Sequence, residues 1–103
     1  MELKVFAIYD SKVGVFRSLM VYSHAAQATR AFQTAVNTVD TELNTYPGDF
    51  ALYQIGLFDE DSGELRSEKD FVVNAVSLLN GKQPGLVEDP AQTDLEDFLN
   101  GET

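Results

Sequence analysis

The densest chemical potential in this chain lies in one acidic run, Asp59-Glu60-Asp61-Ser62-Gly63-Glu64. Carboxylates crowded in this way suggest a calcium loop. Such a loop sets oxygen ligands at fixed offsets and closes with a bidentate Glu six residues past an invariant Gly. Six residues past Gly63 stands Lys69, so the spacing fails. The run reads instead as the solvated turn of a β-hairpin, with acids stopping one strand and Gly63 free to take a positive φ. His24 is the single histidine and has no Cys or Ser partner pattern from which to build a triad. Asp10 and Asp59 fall at strand ends and could be neighbours, but two turn carboxylates are a thin basis for acid–base catalysis. Nucleophile-elbow, phosphate-loop, dinucleotide and zinc-helix motifs are absent. The expectation is a protein that is not an enzyme and holds neither metal nor cofactor.

The other chemistry is recognition. Lys4, Lys12, Arg17, Arg30, Arg66 and Lys69 interleave with Tyr9, Phe16, Tyr22 and Tyr53. Single-stranded nucleic acid is bound without sequence readout when bases stack on such rings and cations follow the backbone. The candidate set is Lys4, Lys12, Arg17, Arg30, Tyr22 and Tyr53. The alternative is that the rings are core and the cations scattered surface charge, and composition alone favours that alternative. The net charge of −10 also excludes a surface that grips phosphate throughout, because that affinity comes from Lys and Arg displacing counterions. The charge is uneven, however. From Gly81 onward six acids stand against Lys82, which places half of the excess in the last 23 residues.

These side chains need elements to position them. Leu3–Tyr9 alternates as a strand, Asp10–Gly14 has turn chemistry, and Val15–Tyr22 resumes a strand, giving an N-terminal hairpin. In the second strand Val15, Arg17, Leu19 and Val21 are expected on one face, and Phe16, Ser18, Met20 and Tyr22 on the other. Ser23 is a natural N-cap. Ala25, Ala28, Ala31, Phe32, Ala35 and Val36 then recur at helical spacing. Their small size lets the helix lie close to a sheet, with Phe32 as its large anchor. Asn37 to Gly48 is a connection pinned by Leu43 and Tyr46 and ended by Pro47-Gly48.

Asp49–Leu65 carries the strongest strand signal. Phe50, Leu52, Gln54, Gly56 and Phe58 are expected one way, and Ala51, Tyr53, Ile55 and Leu57 the other. Both sets are largely apolar, so both sides of this strand need cover. Phe71-Val72-Val73 reads as an edge strand that passes into a turn or short helix. One helix cannot cover both sides of such a sheet, so a homodimer is expected to bury the second side.

At 103 residues and 44% apolar content this is one domain with a modest core. The absence of cysteine rules out a disulfide framework and suits a reducing cytoplasm. No basic-then-apolar leader and no apolar run near ~18 residues is present, so neither export nor a membrane span is expected. The division is an α+β domain over 1–80 and an acidic C-terminal extension over 81–103. The extension reads in two ways, as a disordered solubilising tail or as a docking segment. Thr93-Asp94-Leu95-Glu96 is a capping box for a short helix near 94–100, whose Leu95, Phe98 and Leu99 would dock on a partner.

Taken together, LKVFAIYDSKVGVF (3–16), ATRAFQTAVN (28–37) and PGDFALYQIGLFDEDSGEL (47–65) resemble the small nonstructural protein of the microviruses, the gokushovirus-like phages with single-stranded DNA genomes. The resemblance runs over about residues 3 to 79, in order and with similar gaps. Ser18-Leu19-Met20-Val21 departs from the family pattern, and the acidic extension is longer than the family core. What the resemblance implies is a non-enzymatic protein of the bacterial host cytoplasm. It would assist viral DNA replication or single-strand synthesis by binding single-stranded DNA; with the basic residues read above as the contacts, changing Arg17 or Arg30 to Ala is expected to weaken that binding. The other function carried is a dimeric interaction module that contacts a phage or host replication protein through the acidic C-terminal segment. The fold expected is α+β, an antiparallel sheet built from two hairpins in the order β-β-α-β-β with one helix on one face.

Overall fold

The computed structural model describes residues 1–80. The acidic extension, with Leu95, Phe98 and Leu99, lies outside the described residues. Four strands form one antiparallel sheet: β1 (Glu2–Asp10), β2 (Val15–Tyr22), β3 (Phe50–Asp59) and β4 (Leu65–Asn74). Their spatial order is β2-β1-β3-β4, so each hairpin contributes one central and one edge strand. Helix α1 (Ala25–Val36) connects the hairpins, and the class is α+β as expected. The bare order β-β-α-β-β is not matched, because a second short helix, α2 (Glu42–Thr45), and a 3-10 turn at Pro47–Asp49 intervene before β3. The Thr41 hydroxyl caps α2 by accepting from the Asn44 N–H at 3.1 Å, a cap hidden within what reads as loop.

Helix α1 begins one residue later than Ser23 suggests. His24 is its N-cap, and the Gln27 side chain accepts from the His24 N–H at 3.0 Å. This satisfies one backbone donor at the helix start from within the first turn. Ala28, Phe32 and Val36 form its buried stripe and meet Phe6, Ile8, Phe50 and Leu52 of the two central strands. Met20, Tyr22, Leu43, Val72, Val73, Leu78 and Leu79 close the rim of this core. Burying Phe32 or Val36 stabilises the fold by roughly 1.5–3 kcal/mol each.

The segment after β4 turns back over the end of the helix through a 3-10 turn at Val76–Leu78. One side chain ties it down. The Asn37 amide donates to the Gln33 and Leu78 carbonyls, both at 2.9 Å, and its oxygen accepts from the Asn80 N–H at 2.8 Å. The helix C-terminus and the end of the described chain are thereby locked together.

Strict alternation does not survive along the strands, and the faces differ from those expected. On β2, Phe6 pairs with Met20 but Ile8 with Arg17, so one residue is extra near Ser18, whose φ is +62°. That bulge puts Phe16 on the same side as Leu19 and Val21, and leaves Arg17 on the helix side beside Ile8 and Leu43. On β3, Val5 pairs with Gly56 but Phe6 with Gln54, which leaves Ile55 as the extra residue. Ile55 and Gly56 then lie on one side together, against the expected separation. A bulge adds one residue to one strand, so every side chain beyond it changes face.

Two substitutions test this arrangement. Phe32→Ala should cost about 3–5 kcal/mol, read as a fall in the urea unfolding midpoint at unchanged slope. At Gly56 an added Cβ would stand 2.6 Å from the Arg66 carbonyl oxygen, a backbone atom that cannot swing aside as a flexible side chain would. Gly56→Ala should therefore force β3 and β4 apart and cost about 1–3 kcal/mol, with broadened or shifted amide resonances along β4.

Candidate functional site

The sheet face opposite α1 has no described element over it, and its side chains sort into a pattern. At the end where β1 leads into β2, Tyr9, Phe16, Tyr53 and Phe71 form one aromatic layer with a ring from every strand. Ring centroids lie 4.6 Å apart for Tyr9–Phe16, 6.0 Å for Tyr9–Tyr53, 5.5 Å for Phe16–Tyr53 and 5.7 Å for Tyr53–Phe71. The last three pairs meet edge to face, the geometry that the ring quadrupoles favour. Strand pairing produces the layer: Tyr9 is opposite Phe16 on one side and Tyr53 opposite Phe71 on the other. Ala7 lies under it with no exposed surface. Phe16 and Phe71 keep 40% and 57% of their surface exposed, so the outer rings present faces to solvent. The Lys69 ammonium stands 5.6 Å from the Phe16 ring centre, within cation–π range.

Of the candidate residues, the structure brings only Tyr53 to this layer, together with Tyr9, Phe16 and Lys69 from the wider set. Tyr22 lies on the helix side, 6.5 Å from Phe6, and Lys4 is its strand partner there. Arg17 also belongs to the helix side, with its guanidinium 3.7 Å from the Asp10 carboxylate. Lys12 is exposed in the β1–β2 turn and Arg30 on the outer surface of α1. Arg66 is paired with Glu2. The candidate cations therefore do not converge. Phe71 is the residue that sequence reasoning missed. Its signal was the spacing of Lys69 and Phe71, two apart on one strand and so on one face.

The two strand-end carboxylates are not neighbours. Asp10 pairs with Phe50 at one end of β1, while Asp59 pairs with Glu2 at the other, about 26 Å away at ~3.3 Å per residue. Asp10 is buried and committed to structure, accepting from the Lys12 and Val13 N–H groups at 3.0 and 3.4 Å. Asp59 does the same for the acidic turn. Its carboxylate accepts from the Asp61 and Ser62 N–H groups at 2.9 and 3.4 Å, and Gly63 takes a φ of +79°. Those N–H donors, Asp61 first and Ser62 next, hold the Asp59 carboxyl below the usual carboxylate range. Among the described residues no three carboxylate or imidazole groups gather as a metal site requires, and no helix is long and apolar enough to cross a membrane.

The family described as "Phage ORF5 protein" matches residues 3–78, which takes in every strand and helix described above apart from Glu2 at the start of β1. No curated protein and no solved structure matches the chain.

The turn chemistry sets a pH dependence. Asp59 has a lowered pKa in the folded state, so its contribution is full at neutral pH and fades as pH falls through that lowered value. Urea unfolding between pH 7 and pH 2.5 should show a shallower acid loss for Asp59→Ala than for the wild type.

Proposed function

The chain belongs to the Phage ORF5 protein family, and from that membership we propose a non-enzymatic accessory protein of a microvirus-type single-stranded DNA phage. It works in the bacterial host cytoplasm and assists viral DNA replication by binding single-stranded DNA on the open sheet face. The observation that carries this reading is the exposed layer of Tyr9, Phe16, Tyr53 and Phe71 with Lys69 across it. Every base has a flat apolar face, so such a layer takes bases without regard to sequence, at about 1–3 kcal/mol for each stacked base.

The charge pattern shapes the expected behaviour. Lys69 is the cation at the layer, while Arg17 and Arg66 are held by Asp10 and Glu2. Binding should therefore be led by stacking, with one or two phosphates neutralised per protomer. That gives a log–log salt slope of about −0.7 to −1.4. Arg17 and Arg30 drop out of the contact set, because neither lies on the open face.

A second reading draws on the same charges. The six basic residues of the described chain form no contiguous positive face, as an acidic protein-interaction module would have it. In that reading the protein contacts a phage or host replication protein through the C-terminal segment, and Leu95→Asp with Phe98→Asp would abolish its capture from infected cells.

Fluorescence anisotropy of a labelled oligo-dT strand separates the two. Phe16→Ala and Phe71→Ala should each weaken binding roughly 5- to 100-fold, Lys69→Ala should reduce the salt slope by about 0.7, and Arg30→Ala should change neither. Absence of wild-type binding at 20 mM salt would reject the DNA reading.

A further inference from the structure

The open face has a second half with different chemistry, and we propose that a second copy of this chain covers it in a two-fold symmetric dimer. Beyond the aromatic layer, toward the acidic turn, the rings give way to aliphatic side chains. Leu19 on edge strand β2 and Leu65 on edge strand β4 are 70% and 65% exposed, and Val21 stands beside them half-exposed. Between them the floor drops. Val5 is buried and Gly56 has no side chain, so Val5, Leu19, Ile55, Gly56 and Leu65 outline an apolar hollow of about 310 Å³. Its polar lining is Ser67 and Arg66, the latter neutralised by Glu2.

Three features select a second copy as the occupant. First, protruding leucines and a recess lie in the same patch, as a self-complementary interface requires: residue i of one copy meets j of the other, and j meets i. Second, a chain of net charge −10 repels its own copies least where acids are few, and the lining of this hollow includes none. Third, Leu19, Val21 and Leu65 with the outer rings Phe16 and Phe71 leave on the order of 500 Å² of apolar surface per copy. Doubled, that reaches the ~1,000 Å² at which specific interfaces begin. Single-stranded DNA is a poorer match, because leucine and valine supply neither a stacking plane nor a phosphate contact. The interface takes in the outer rings Phe16 and Phe71 at its edge, so dimer formation and base stacking compete for those two rings, and the dimer does not depend on the DNA reading.

Sedimentation velocity on the full chain tests it, from 1 to 200 μM and at 20 and 300 mM NaCl. The wild type should be dimeric at tens of micromolar. Its association should tighten at the higher salt, as like-charge repulsion is screened, which is the opposite of a DNA contact. Leu19→Asp and Leu65→Asp substitute exposed side chains, so each should keep the wild-type circular dichroism while raising the dimer dissociation constant at least 100-fold. A wild type that remains monomeric at 200 μM overturns the proposal. So does a dimer that both variants leave intact, which would place the interface elsewhere. A third overturning result is a monomer whose Leu19, Val21 and Leu65 amide resonances shift on Leu95→Asp with Phe98→Asp, because the acidic extension would then be the occupant.

Discussion

Among the described residues, a four-stranded sheet with apolar side chains on both sides is covered by helix α1 on one side only, and most features of this protein follow from that mismatch. Helix α1 presents Ala28, Phe32 and Val36 to Phe6, Ile8, Phe50 and Leu52, and those residues form the buried core. Alanine brings the helix backbone close, and Phe32 fills the space that remains. Everything on the helix side is arranged to complete this layer. Leu43 of α2 closes one edge, and Leu78 and Leu79 close another under the Asn37 clamp. The hydrophobic effect is satisfied there and left incomplete on the opposite side, where the aromatic rings shield one another and the leucines do not.

The open face is divided by the bulges. Without the extra residue near Ser18, Phe16 would turn toward the helix and the aromatic layer would lose its β2 member. Without Ile55 as the extra residue of β3, Gly56 would not form the floor beneath Leu19 and Leu65. Ser18 takes a left-handed φ that disfavours any residue with a Cβ, a cost of about 1–2 kcal/mol. The fold bears that cost at the position which decides what its outer surface presents.

Charge is kept at the margins. The acidic turn is an internally hydrogen-bonded hairpin end, and Asp10 is consumed in holding the β1–β2 turn and Arg17. Two of the six cations of the described chain are spent on carboxylates, which leaves Lys69 as the cation of the aromatic layer. The layer is therefore defined by ring faces more than by field, and a chain with a strongly negative total still presents exposed rings beside a cation.

Local patterns were legible in the residues themselves. The helical stripe from Ala25 to Val36, the two hairpins, the glycine of the acidic turn, the failed calcium spacing and the α+β class all follow from periodicity and turn chemistry, which act over a few residues. The phage family was legible too, in three segments that hold their order. What only the tertiary structure decided is which side each strand residue faces, and hence which residues form a site. Tyr22 and Arg17 went to the helix side, Asp10 and Asp59 to opposite ends of the sheet, and Phe71 joined a layer that strand pairing alone assembles. A one-residue bulge changes no local propensity yet inverts every side chain beyond it, so alternation could show that both faces were apolar but not which rings would meet.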